Sequence, residues 1–226
     1  MHEIFKLTSR AAVTALFIFM AVGYSSAGHE IVYELTLSPQ DLSIGTLRGF
    51  HTVRLPDCIP TRDVAAPEMP VKVLQFAIPD KNADYMVEIL DDEKSVIPGE
   101  FSVYPAQASC VTGQKCPFTE PDKDIYQSSV SYPGARAVLV KKGTLMGVDI
   151  ATVHVYPLAY IPAERQLILH TQIKFRLVDK TIENSAHPNE PDQQNKNKIL
   201  QNKSRVGRKQ TKQFLKKLLA NPEALE

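Results

Sequence analysis

This chain has little of what several functional classes require. Its 226 residues hold only three cysteines, Cys58, Cys110 and Cys116. Zinc sites set their cysteines two to four residues apart and need four ligands in all. The six histidines are scattered, so no metal site is expected. An excess of charge of either sign is also missing. Lys and Arg number 26 against 25 Asp and Glu, a net of +1, far from the basic excess of a nucleic-acid-binding domain. No segment between Gly28 and Val178 shows the 3.6-residue period of an amphipathic helix, and no internal repeat appears. The one long apolar run, Ala11 to Tyr24, is too short to span a bilayer comfortably.

That run belongs to a different pattern. Lys6 and Arg10 precede it, and Ser25-Ser26-Ala27 follow it. A positive start, an apolar middle and small residues at the end read as a secretory signal peptide over residues 1–27, cleaved between Ala27 and Gly28. The remaining residues, 28–226, suffice for one domain with a real core plus a tail. They divide by charge. Gly28 to Val178 carries 14 Lys and Arg against 18 Asp and Glu; Asp179 to Glu226 carries 10 against 6. The near-neutral total conceals an acidic body and a basic tail. An exported chain meets oxidising conditions, and Cys110 and Cys116 flank a short loop containing Gly113. These two are expected to pair, leaving Cys58 buried or free.

The body, residues 28–180, reads as strands. Pro67-Glu68-Met69-Pro70 leads into Val71 to Ile78, and Pro79 ends it; proline cannot donate to a ladder, so it marks strand ends. Ile31, Tyr33, Leu35 and Leu37 alternate with Val32, Glu34 and Thr36, and Tyr85, Val87 and Ile89 with Asp84, Met86 and Glu88. Between Arg165 and Val178, Leu167, Leu169, Thr171, Ile173, Phe175 and Leu177 mark a buried face. His170, Gln172, Lys174 and Arg176 mark a wet one. Such alternation indicates half-exposed antiparallel strands. Lys142-Gly143-Thr144 is expected to turn a hairpin into the strand Leu145 to Tyr156. There Val148 and Ile150 are out of phase with Val153 and Val155, which predicts a β-bulge near Ala151-Thr152. Phe101 to Pro133 reads as a long surface excursion. The predicted fold is an all-β antiparallel sandwich with a short C-terminal helical tail. Residues 181–203 read as a polar linker. Residues 204–226 read as a basic amphipathic helix with Phe214, Leu215, Leu218 and Leu219 on one stripe, stopped by Asn221-Pro222.

Several of these motifs, in order, resemble the propeptide of the gingipain family of secreted cysteine peptidases. They are Leu55-Pro56-Asp57; Pro67-Glu68-Met69-Pro70 before a strand ending Ile78-Pro79; Val103-Tyr104-Pro105-Ala106-Gln107; Tyr132-Pro133; and Val155-Tyr156-Pro157-Leu158-Ala159-Tyr160. Leu218 to Leu225 resembles the join to a catalytic domain. Ala66 and Met69 stand where the family pattern has glycine and leucine. The resemblance implies a non-catalytic β-sandwich that assists folding of a peptidase, keeps it latent and is removed by cleavage. It also implies a catalytic domain beyond Glu226. The family's catalytic His-Gly is missing. Ala108-Ser109-Cys110, the nearest imitation of its Cys motif, follows Pro105, which interrupts the strand that motif requires, so no catalytic residue is assigned.

Latency in an Arg- or Lys-specific peptidase implies a basic side chain presented to the acidic specificity pocket. The candidates are Lys115, Arg136 and Lys142, with Lys115 favoured because a Cys110–Cys116 bridge would order its loop; the alternative is a solvated loop lysine. In the tail, Arg205, Arg208 and Lys209 are candidate processing sites. The same cations also fit a solvated helix face that packs Phe214 and Leu218 on a partner domain, or a cationic binding stripe. The expected partner is the cognate peptidase domain, in cis or in trans, with no cofactor, no nucleic acid and no membrane after signal cleavage. The rival reading is a stand-alone exported β-sandwich that binds protein or glycan.

Overall fold

A computed structural model describes residues 30–111, 113, 115–180 and 209–225. The expected signal peptide with its Ala27–Gly28 junction, the expected linker at 181–203, and the processing candidates Arg205 and Arg208 lie outside the described residues.

Two antiparallel sheets face each other. In the first, β10 (Gln166–Asp179) lies between β6 (Tyr85–Ile97) on one side and β1 (Glu30–Thr36) with β9 (Leu158–Ile161) on the other. In the second, the order is β4 (Ile59–Pro60), β5 (Pro70–Ala77), β8 (Val148–Val155), β7 (Ala137–Leu145). A separate hairpin joins β2 (Ser43–Leu47) to β3 (Phe50–Arg54). The chain is thus an all-β sandwich with a C-terminal helix.

β5 fills the interval between the prolines that marked it in the sequence. Its Leu74 and Phe76, with Ala151, Val153 and Val155 of β8, meet Leu35 of β1 and Ile173, Phe175 and Leu177 of β10 in the main core. The rings of Phe76 and Phe175 stand edge to face at 6.0 Å. A second core gathers Val53, Leu55, Met69, Phe101, Val103, Leu158, Tyr160, Leu167 and Leu169. On the wet face of β10, Arg176 reaches Glu88 at 2.7 Å and Glu30 at 3.0 Å.

Four expectations need correction. The hairpin into β8 turns at Met146-Gly147, not at Gly143, which lies within β7 opposite Ile150. Met146 has φ 49° and Gly147 φ 87°, the two left-handed residues that let a two-residue hairpin match the strand twist. The expected bulge at Ala151-Thr152 is also displaced. β8 pairs with β5 without a break, and the extra residue is Val140 of β7. The apparent phase slip has another cause: Ala151, Val153 and Val155 face the main core, whereas Val148 and Ile150 face a helix on the opposite side. Period-two reasoning assumes one wet face, and here both are covered.

His170 is not on a wet face; it is 1% exposed. It sits where the β10–β6 register shifts, Thr171 being the unmatched residue. Finally, Phe101 to Pro133 is only partly a surface excursion. Phe101, Val103, Tyr104 and Ala106 are buried. A one-turn helix, α1 (Lys123–Tyr126), is capped by Asp122, whose carboxylate accepts from the backbone N–H groups of Asp124 and Ile125.

The C-terminal helix, α2 (Lys209–Leu218), lies against the second sheet. Leu215 and Leu219, with Leu225 beyond, pack on Ala77, Val148 and Ile150. Phe214 and Leu218, which shared the stripe in the sequence, stay 51% and 41% exposed.

Candidate functional site: a loop on a clamped base

Residues 101–106 are sewn into the second core by backbone bonds on both sides. His51 N–H donates to Ser102 O and Tyr104 N–H to His51 O, while Glu68 N–H donates to Tyr104 O and Ala106 N–H to Ala66 O. Beneath them, the Tyr126 hydroxyl donates to Val103 O at 2.7 Å. The chain then leaves the surface after Ala106 and returns at Phe118.

The exit and return are tied together by one side chain. Gln107 Nε2 donates to Pro105 O at 2.8 Å and to Thr119 O at 3.2 Å, while Gln107 Oε1 accepts from Thr119 N–H at 2.8 Å. An amide can satisfy a backbone donor and acceptor together, so Gln107 acts as a short length of ladder at the base. Phe118 adds a second anchor. Its ring lies 5.9 Å from that of Tyr104 and 6.1 Å from that of Phe50, and the Arg48 guanidinium sits 5.3 Å from its centroid. That guanidinium is carried by the β2–β3 turn, where Arg48 and Gly49 have φ 52° and 82°. Above the base, a disulfide joins Cys110 to Cys116 with their Cα atoms 6.1 Å apart.

The three basic candidates fare differently. Lys115 is exposed beside the disulfide. Arg136 is half-buried just before β7; it donates to Pro133 O at 3.3 Å and lies 3.8 Å from Asp92, and burial lowers its pKa from the ordinary value. Lys142 lies within β7, where its ammonium donates to Ala83 O and stands 6.0 Å from the Tyr85 ring centroid. The structure therefore does not bring the three together. Presenting Arg136 or Lys142 to a partner's pocket would first break contacts within the fold. Lys209 opens α2.

Cys58 is a free thiol, half-buried beside the second core, and burial pushes its pKa up. A thiol so placed is a poor nucleophile. Among the described residues, no group of three or more His, Cys, Asp or Glu is placed to hold a metal ion, and no helix is long and apolar enough to cross a membrane.

A second polar group escaped sequence reasoning. His170 Nδ1 contacts the Asp92 carboxylate, which also faces the Arg136 guanidinium. With a carboxylate as its partner, Nδ1 carries the proton. The other ring nitrogen, Nε2, is buried with no partner. Burial holds the His170 pKa below the usual histidine value, as do the nearby Arg136 and Lys94, while Asp92 opposes the shift. The group ties β6 and β10 to the entry of β7. Only tertiary pairing brings residues 92, 136 and 170 together, so no sequence signal existed for it. Gln107 was visible only as part of a family motif, without a role.

Comparison with known proteins agrees with this architecture. No curated protein sequence matches the chain. The pro-domain in a structure of the complex of the pro- and mature domains of RgpB from Porphyromonas gingivalis is similar in fold, with a TM-score of 0.65 at 14% identity, over 88% of this chain and 95% of that one. A structure addressing the zymogenic latency of gingipain K from Porphyromonas gingivalis matches with a TM-score of 0.58 at 21% identity, over 68% of this chain and 88% of that one. The family model described as Propeptide_C25 matches residues 38–208. With the sandwich formed and three quarters of its length matched, the chain belongs to the gingipain-type propeptide family.

Proposed function

We propose that this chain is the secreted pro-domain of a gingipain-type cysteine peptidase, that it assists folding of the catalytic domain, and that it holds that domain latent by presenting Lys115 to its specificity pocket. The observation that carries the reading is the contrast among the three basic candidates. Arg136 and Lys142 are engaged within the fold, while Lys115 is exposed on a segment tied at its base by Gln107 and bridged by Cys110–Cys116. A loop held at two levels loses little entropy on docking, and an exposed lysine on it complements an acidic pocket as a substrate would. The fold likeness to a pro-domain solved with its mature partner supports the same assignment. Processing at Arg205, Arg208 or Lys209 would then separate pro-domain from peptidase.

The test is inhibition in trans. The mature chain, residues 28–226, is titrated against the gingipain-type peptidase of the same source while hydrolysis of a Lys-containing peptide is followed. Stoichiometric loss of activity is expected. Full activity at a large excess of chain refutes the inhibitor reading. Lys115→Ala is expected to weaken inhibition at least about tenfold, as loss of a pocket-filling anchor does. Unaltered inhibition by that variant removes Lys115 while leaving the pro-domain assignment standing.

A further inference from the structure

The segment after the matched family region does something a trailing linker would not. β4 covers only the first two residues of the open edge of β5, at Pro70 and Val71. Further along that edge, the C-terminal segment takes over. Ala220 N–H donates to Gln75 O at 2.7 Å. Asn221 Oδ1 accepts from Ala77 N–H at 2.8 Å, and Asn221 Nδ2 donates to Ala77 O at 2.9 Å. The buried Asn221 amide thus stands in for a neighbouring strand. At the same place, fully buried Leu215, with Leu219 and Leu225, covers the outer apolar patch of Ala77, Val148 and Ile150. Helix, edge and patch form one interface, and the family match stops at residue 208, just before it begins.

We propose that residues 209–225 are a non-covalent clip, so that a cut anywhere between residues 181 and 208 leaves the chain beyond the cut still attached to the sandwich. In a peptidase precursor, which is the reading this inference rests on, such a cut would convert covalent latency into non-covalent latency. Release would need a second event that opens the clip. A ten-residue helix is marginal alone in water, so the clip folds only on its seat. The holding force resides in the edge bonds and the three leucines. Removing the clip uncovers an apolar patch together with unpaired backbone on β5, a combination that invites association with other chains.

The experiment cuts the chain without relying on natural processing. A recognition sequence for a site-specific viral protease is placed between residues 181 and 203 of the mature protein, and the folded product is cleaved and passed over a size-exclusion column. The clip predicts that the C-terminal fragment, which carries residues 209–225, co-elutes with the sandwich. Leu219→Asp is expected to release it. Asn221→Ala, which leaves both Ala77 backbone groups unpaired while sparing the leucines, is expected to weaken retention by about tenfold or more, read as faster exchange with a labelled synthetic 209–226 peptide. Separation of the unsubstituted fragments overturns the proposal, as does retention that neither variant changes. Because the cutting enzyme is added, the outcome is independent of whether the chain inhibits a peptidase.

Discussion

Single side chains set the conditions under which this domain holds together. His170 is the clearest case. Its folded pKa lies below the usual histidine value of 6.5, so its neutral form is the one the fold favours. The stability this contributes is fully present above pH 6.5 and is lost as pH falls through the lowered folded value, because the unfolded chain takes up the proton first. Urea midpoints of residues 28–226 should therefore fall between neutral and mildly acidic pH, and His170→Gln should flatten that part of the profile. An equal slope in the variant would assign it to other groups. Gln107 acts by geometry. Gln107→Ala strands the Thr119 N–H at the loop base and should cost about 1–3 kcal/mol by urea titration, together with weaker peptidase inhibition. Lys115→Ala should leave stability within about 0.5 kcal/mol of the parent. Phe76, at the centre of the main core, should cost about 3–5 kcal/mol on truncation to alanine.

At the scale of elements, much was legible because strands announce themselves by alternation and proline. Pro67, Pro70 and Pro79 bracketed β5, and Leu167 to Leu177 set the inner face of β10. The errors share a cause. Gly143 resembled a turn residue, yet Met146-Gly147 turns the chain, because a two-residue hairpin depends on two positive φ values rather than on any one glycine. Met146 accepts a left-handed conformation that a methionine seldom takes, and its side chain is exposed. Met146→Asn supplies the residue such turns favour and should raise stability by about 1 kcal/mol, measured as an increase in urea midpoint at constant m-value. A decrease would show that the Met146 side chain contributes more than its exposure suggests. The phase of β8 was misread for a related reason. Alternation records which face is dry, and α2 makes both faces of β8 dry at its start.

For the whole molecule, the two sheets and the second core form a scaffold with a clamped loop at one margin and a docked tail at another. Oxidised peptide mapping should recover the Cys110 and Cys116 peptides as one linked species, and Cys58 should label with a thiol reagent only slowly until the fold is loosened by urea. By itself the sequence determined the local pattern: the all-β class, the proline-bracketed β5, the dry face of β10, the helical tail, and the ordered motifs that carry the family resemblance. These follow from period, turn chemistry and charge, which neighbours in the chain express directly. Only the tertiary structure decided that Arg136 and Lys142 are engaged within the fold, that His170 is buried against Asp92, and that Asn221 completes the edge of β5. Each of those depends on partners tens of residues away in the chain, whose meeting is fixed by sheet register and by which apolar faces remain to be covered.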